Sequence, residues 1–216
     1  MNQLGHPSDA PKDCTACERL TAFRRGNIEK YPDFFNAPVP SFGDASARLL
    51  IVGMAPGLKG ANRTGRPFTG DYAGDTLFTC LEKAGLASGT YSKDPCDSLQ
   101  LEDTMIVNAV RCVPPQNKPT AAEINQCRPF LIDLIERMQG VKVYLTLGRI
   151  AHDSLLRTLG LKLKDYPFGH AAHHPLPNGR HIVDSYHCSR YNTNTGRLTE
   201  AMFLDALTLC TALMKD

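Results

Sequence analysis

Leu49-Leu50-Ile51-Val52-Gly53-Met54-Ala55-Pro56-Gly57-Leu58-Lys59-Gly60-Ala61-Asn62-Arg63-Thr64-Gly65-Arg66-Pro67-Phe68-Thr69-Gly70-Asp71 is an apolar run that opens into a long glycine-rich loop. Consecutive large aliphatics at 49–52 read as a strand buried on both faces, as in a parallel sheet. A helical pattern begins directly afterwards, at Gly74. A loop between the carboxyl end of a strand and a helix is where open α/β sheets hold their ligands. Its glycines let the backbone come close to a bound molecule. Between them stand Arg63 and Arg66 for anions, Phe68 for stacking and Asp71 for chemistry. The spacings G-x-x-x-x-G-K-[ST] and G-x-G-x-x-G are both absent, so this is not a nucleotide-phosphate loop.

Working outward, the remaining apolar runs predict strands over 104–109, 141–147 and 180–186, beside the one over 49–53. Helical spacing predicts helices over 74–86, 120–138, 149–159 and 195–214. Thr120-Ala121-Ala122-Glu123 has the form of a capping box, with Pro119 just before it. Leu198, Met202, Ala206, Leu209 and Leu213 recur at helical intervals, so the last helix buries one face. Alternating strands and helices predict an α/β fold, a three-layer αβα sandwich around a short, mainly parallel four-stranded sheet. The first forty-odd residues read as an irregular, partly helical lead-in.

A chain of 216 residues suits a single domain over 1–216 and is ample for a sizeable core. At 42% hydrophobic and 21% charged it is not a disordered chain. A net charge of +2 is too small to establish nucleic-acid binding, so a DNA-binding face would have to be a local patch. No apolar run approaches the length of a membrane span. Met1-Asn2-Gln3-Leu4-Gly5-His6-Pro7 lacks the apolar core of a signal peptide. The expectation is a cytoplasmic protein without membrane contact, and a monomer by default.

Eight cysteines in such a chain point to metal ligands, catalytic groups or core residues before disulfides. Cys14 and Cys17 form a Cys-x2-Cys pair, and Cys112 and Cys127 stand farther along. Four cysteines can ligate a four-iron, four-sulfur cluster or a structural zinc. A thioredoxin-like redox motif is a third reading, although Cys14 does not follow a strand. Cys80 and Cys210 fall within helical patterns as small core residues, and Cys96 and Cys188 are left over.

With loop and cysteines together, the chain resembles the uracil-DNA glycosylases, in their iron–sulfur branch, and most closely the broad-specificity fifth family. Three blocks carry the likeness: Gly53-Met-Ala-Pro-Gly57 running on through 61–74, Asn108-Ala-Val-Arg-Cys112 running on to Cys127, and His187-Cys-Ser-Arg-Tyr-Asn-Thr-Asn-Thr-Gly-Arg-Leu-Thr199. The resemblance implies a [4Fe–4S] cluster on Cys14, Cys17, Cys112 and Cys127. It also implies excision of uracil, and of other deaminated bases such as hypoxanthine, from double-stranded DNA. A non-catalytic iron–sulfur DNA-binding module is the alternative, and a redox iron–sulfur protein a third reading.

A glycosylase must take its base out of the helix, then stack it and bind its edge. Phe68 is the natural stacking platform, or else a core residue. Asn108, at a strand end, offers a donor and an acceptor to a uracil edge, or else caps a turn. Gly53, Met54, Ala55, Pro56 and Gly57 would wall the same pocket. His187 would donate a hydrogen bond to the charge developing on the base. The related fourth family carries an acid where Met54 stands, and Met54 cannot polarise water. Asp71 is therefore the candidate carboxylate, with helix capping an equal reading. Asp75 reads as a first-turn helix acid.

The segment from His187 resembles a DNA-inserting loop, with Cys188 where the family more usually has proline. Arg190 and Tyr191 would fill the gap left by the flipped base. Arg63, Arg66, Ser189 and Arg197 would meet backbone phosphates. Lys162, Lys164, His170 and Arg180 form a basic stretch that either widens this face or is simply solvated. Lys59 has no activating environment as a Schiff-base nucleophile, so the expected enzyme is monofunctional and leaves an abasic site. His152, His173 and His174 belong to no motif and read as structural.

Overall fold

The computed structural model describes residues 5–215, so the first four residues of the N-terminal heptapeptide and Asp216 lie outside the described residues. Helix α1 (Glu18–Lys30) is followed by β1 (Phe42–Gly43), β2 (Leu49–Gly53), α2 (Ala61–Thr64) and α3 (Tyr72–Lys83). Then come β3 (Ala87–Ser88), β4 (Gln100–Leu101), β5 (Thr104–Asn108), α4 (Ala121–Arg137), β6 (Val143–Leu147) and α5 (Arg149–Thr158). The chain closes with β7 (His173–Pro175), β8 (His181–Ser185), α6 (Arg190–Asn194) and α7 (Glu200–Leu213).

The main sheet runs β1-β5-β2-β6-β8-β7. Its centre, β5-β2-β6-β8, is parallel, while β1 and β7 pair antiparallel at the two edges. The expected four strands are the parallel core of a six-stranded sheet. The sheet is wider than the sequence suggests because its edge strands have only two and three residues. β3 and β4 form a separate two-stranded ladder.

Period-2 alternation builds the three layers. Leu49, Ile51, Ile106, Leu145 and Val183 face one side, where they pack with Leu77, Phe78, Phe203 and Leu207 of α3 and α7. Leu50, Val52, Met105, Tyr144 and Ile182 face the other, against Leu131, Leu134 and Leu155 of α4 and α5. The central strands are buried on both faces, as a sheet sandwiched between helices must be. Each such aliphatic contributes on the order of 1.5–3 kcal/mol.

The predicted capping box at α4 forms, with Thr120 Oγ1 accepting from the Glu123 N–H and Glu123 accepting from the Thr120 N–H. The predicted final helix starts later than expected, at Glu200, and a separate short helix, α6, precedes the predicted span. α6 ends before Gly196, which turns at φ +69°, and Thr199 caps α7 afresh. Leu198 keeps its place in the apolar pattern because it is fully buried between them. No helix among the described residues is long and apolar enough to cross a membrane.

Candidate active site

The carboxyl ends of β2 and β5 and the segment after β8 meet over one cavity of about 510 Å³. Met54, Ala55, Pro56 and Gly57 wall it from the first loop, with Phe68, Asp71, Asn108, His187, Ser189 and Arg190 around them. Gly53 pairs with Asn108 across the ladder. A Cβ on Gly53 would lie 2.4 Å from Asn108 Oδ1 and 2.8 Å from the Phe68 ring, so only glycine lets these two groups stand side by side. Asn108 is buried, and its Oδ1 has no hydrogen-bond partner among the described residues. A buried acceptor without a partner costs about 1–3 kcal/mol, which a matching donor on a ligand would offset.

Phe68 joins the buried core and also lines the cavity. Its backbone is left-handed, at φ +54°, an uncommon state for an aromatic residue. The ring lies 5.9 Å from that of His187, with 30° between their planes. Asp71 is likewise double. Its Oδ1 caps α3, accepting from the N–H groups of Ala73 and Gly74. Its Oδ2 points to the opposite side, where a Cβ on Gly57 or Gly60 would come within 2.9 or 2.2 Å. Those glycines make room for the carboxylate beside the cavity. Burial holds His187 below the usual histidine range, and the Asp71 charge acts against that shift.

The loop after β8 is fastened at several points. The buried Cys188 thiol donates to the Ala73 carbonyl, which anchors the loop to α3. Asn192 donates to the His187 carbonyl at 2.8 Å, and Ser189 caps α6. Tyr191 projects from α6 and is 72% exposed.

A second cavity of about 550 Å³ adjoins the first, sharing Met54 and His187 with it. Arg149 and Arg197 line it, stacked on Phe168 and Tyr186 at 5.3 and 4.6 Å. Arg190 lies over Tyr72 at 5.3 Å. Among the described residues none of these three has a carboxylate partner, unlike Arg19, Arg48, Arg111 and Arg137. Arg63 is exposed on α2.

Arg66 is not part of this face. It is 1% exposed and clamps Asp97 with two hydrogen bonds of 2.7 and 2.9 Å. A guanidinium so enclosed has no donor for a phosphate. Arg149 and Asn117, which also line these cavities, are absent from the sequence-based set. Arg149 follows β6 directly, at the strand edge where ligands gather, and that position was its signal. Asn117 ends a single 3-10 turn, Pro115–Asn117, at φ +55° and gives no periodic signal.

Cys14, Cys17, Cys112 and Cys127 line one small pocket between α1 and α4. Arg24 donates to Cys112 Sγ at 3.5 Å, and the Arg111 N–H donates to Cys127 Sγ at 3.3 Å. Burial, reinforced by Cys127, pushes the Cys17 thiol up to about 11, and burial pushes Cys112 up to about 11 against the pull of Arg24. Among the described residues, no three or more His, Cys, Asp or Glu side chains are placed to hold a metal ion.

Residues 40–209 match the model of the uracil DNA glycosylase superfamily. The chain belongs to that superfamily. It is 47% identical over 199 residues to the type-5 uracil-DNA glycosylase of Thermus thermophilus, covering 90% of each chain. Identity to the type-5 uracil-DNA glycosylase of Mycobacterium leprae is 41% over 202 residues, covering 89% of this chain and 87% of the relative. The type-5 enzyme of Pyrobaculum aerophilum is 35% identical over 199 residues, 90% of this chain and 86% of its own. All of the residues lining the first cavity lie inside the matched superfamily region, whereas Cys14 and Cys17 precede it.

Proposed function

We propose that this protein is a monofunctional DNA glycosylase that excises uracil, and other deaminated bases such as hypoxanthine, from double-stranded DNA. The observation that carries the reading is the single cavity where Phe68, Asn108, Asp71 and His187 converge. Phe68 offers a face for the flipped base, a contact worth roughly 1–3 kcal/mol. Asn108 Oδ1, unpartnered in its buried position, accepts from the base N–H. Cleavage leaves negative charge on the base and positive charge on the sugar. His187, whose pKa burial lowers, donates to the base oxygen as that charge grows. The free Oδ2 of Asp71 stabilises the cationic sugar or orients the attacking water.

The unpaired arginines Arg149, Arg190 and Arg197, with Arg63 and Ser189, meet phosphates, and Tyr191 fills the space the base vacates. Cys14, Cys17, Cys112 and Cys127 hold a [4Fe–4S] cluster. Four thiols around one pocket, with Arg24 and the Arg111 N–H directed at sulfur, support that fit. Four cysteines suit a structural zinc as well, and the choice of the cluster rests on the resemblance to the iron–sulfur branch. When bound, the cluster supplies four iron–thiolate bonds that tie α1 and α4 to the segment four residues beyond Asn108. We read the protein as a cytoplasmic monomer.

The test is single-turnover excision on duplexes carrying one uracil opposite guanine or adenine, or one hypoxanthine. Release of free base with an abasic product is expected. Tight duplex binding without release would favour the non-catalytic module instead.

A further inference from the structure

Phe68 presents its ring to the cavity from a backbone state that aromatic residues seldom adopt, and such strain persists only where surrounding structure enforces it. The enforcing structure lies behind the ring, outside the cavity. Arg66 Nε donates to Thr69 Oγ1 at 2.8 Å while its two terminal nitrogens grip Asp97. Asp97 also accepts from the N–H groups of Ser92 and Leu99, so it folds the segment after β3 around this guanidinium. Tyr91, on that segment, packs its ring on Phe78 with centroids 4.6 Å apart. Its hydroxyl accepts from the Gly70 N–H at 3.2 Å and faces the Phe68 carbonyl at 3.5 Å. Space here is fully used: a Cβ on Gly74 would lie 1.7 Å from the Phe68 carbonyl and 2.5 Å from the Tyr91 hydroxyl.

We propose that Tyr91 is a positioning residue for base excision. Its hydroxyl bridges the two ends of the Phe68–Gly70 turn. The turn in turn fixes the separation of the Phe68 and His187 rings, and so the slot in which the flipped base stands. Tyr91 does not line the cavity and touches no substrate. The proposal rests on the reading of Phe68 as the stacking platform. It adds that the platform is aimed by a hydroxyl on a segment more than twenty residues away.

The experiment uses the full chain and the variants Tyr91→Phe, Phe68→Ala and the double substitution. Tyr91→Phe keeps the ring packing and removes only the bridge. The single-turnover rate on a uracil duplex is expected to fall about three- to tenfold, the worth of one neutral hydrogen bond. Affinity for a non-hydrolysable uracil duplex and the thermal midpoint stay near wild type. In the Phe68→Ala background, removing the hydroxyl has no further effect, because its action runs through Phe68. A readout independent of catalysis is the His187 ring resonance, which Phe68 shifts by its ring current and which moves in Tyr91→Phe. A wild-type rate in Tyr91→Phe, an equal loss in the Phe68→Ala background, or unmoved His187 resonances would each overturn the proposal. Absence of excision by the wild type would instead count against the glycosylase reading, leaving the resonance to decide for or against Tyr91.

Discussion

Two aspartate–histidine pairs stand close together in this fold and are built in opposite ways. Asp184 and His152 are sealed, at 0% and 1% exposure, with Nδ1 and Oδ1 2.7 Å apart. Thr146 adds a hydrogen bond to the same oxygen, and His152 Nε2 meets the Tyr166 carbonyl at 2.9 Å. Asp71 and His187, by contrast, face a cavity and are joined by charge alone. The first imidazole has both ring nitrogens engaged. In the second pair Asp71 and His187 both border the cavity. What separates the pairs is access: the Asp184 oxygen without a hydrogen bond among the described residues, Oδ2, lies inside the fold 3.6 Å from His174 Nε2, whereas the Asp71 carboxylate lines a cavity, the mark of a candidate ligand site.

The largest effect is expected on the sealed pair. His152→Ala leaves the buried Asp184 carboxylate with the Thr146 hydroxyl and, 3.6 Å from its other oxygen, the His174 imidazole, at a cost of about 3–5 kcal/mol. Chemical denaturation should record that loss, while the excision rate per folded molecule stays near wild type. A stable His152→Ala protein that no longer released base would break the comparison. On the open side, Phe68→Ala should weaken transition-state binding by about 1–3 kcal/mol with DNA affinity largely retained. Equal losses in rate and duplex affinity would place Phe68 on the DNA surface generally instead of on the base.

The open pair also has a pH signature. Burial lowers the His187 pKa, so the neutral ring persists below the ordinary histidine value of about 6.5. The Asp71 charge favours the imidazolium and opposes that shift. Asp71→Asn removes it, and the His187 titration followed by NMR should then move further acid. A move toward higher pH would show that the two groups are not coupled as drawn. The smallest effect belongs to the rim. Arg197→Gln should reduce the salt dependence of duplex binding by about 0.9 in log–log slope, the share of one phosphate contact. An unchanged slope would return Arg197 to the solvent.

The parallel strands and their flanking helices were legible because long apolar runs and helical spacing are strong, local signals. The edge strands Phe42–Gly43 and His173–Pro175 were not, being too short to show alternation. Much of the cavity was legible too: strand ends and glycines mark its first loop, and the family resemblance singled out Asn108 and the segment from His187. Arg66 misled for a physical reason: an arginine among glycines looks anion-binding, and nothing nearby announces Asp97, 31 residues away, as its buried partner. His152 could be set aside as structural, but the sealed pair itself depends on Asp184, 32 residues distant. Local sequence names the groups, and only the fold tells which are enclosed.

The most direct test of the open pair is the single-turnover excision rate of Asp71→Asn on a uracil duplex. Asparagine caps a helix as well as aspartate does, so the substitution preserves α3 and removes only the charge. A fall of about 10²- to 10⁴-fold, with the thermal midpoint and duplex affinity held, is the predicted result. Excision within a few-fold of wild type would contradict the account and leave Asp71 as a helix cap, no more catalytic than Asp184.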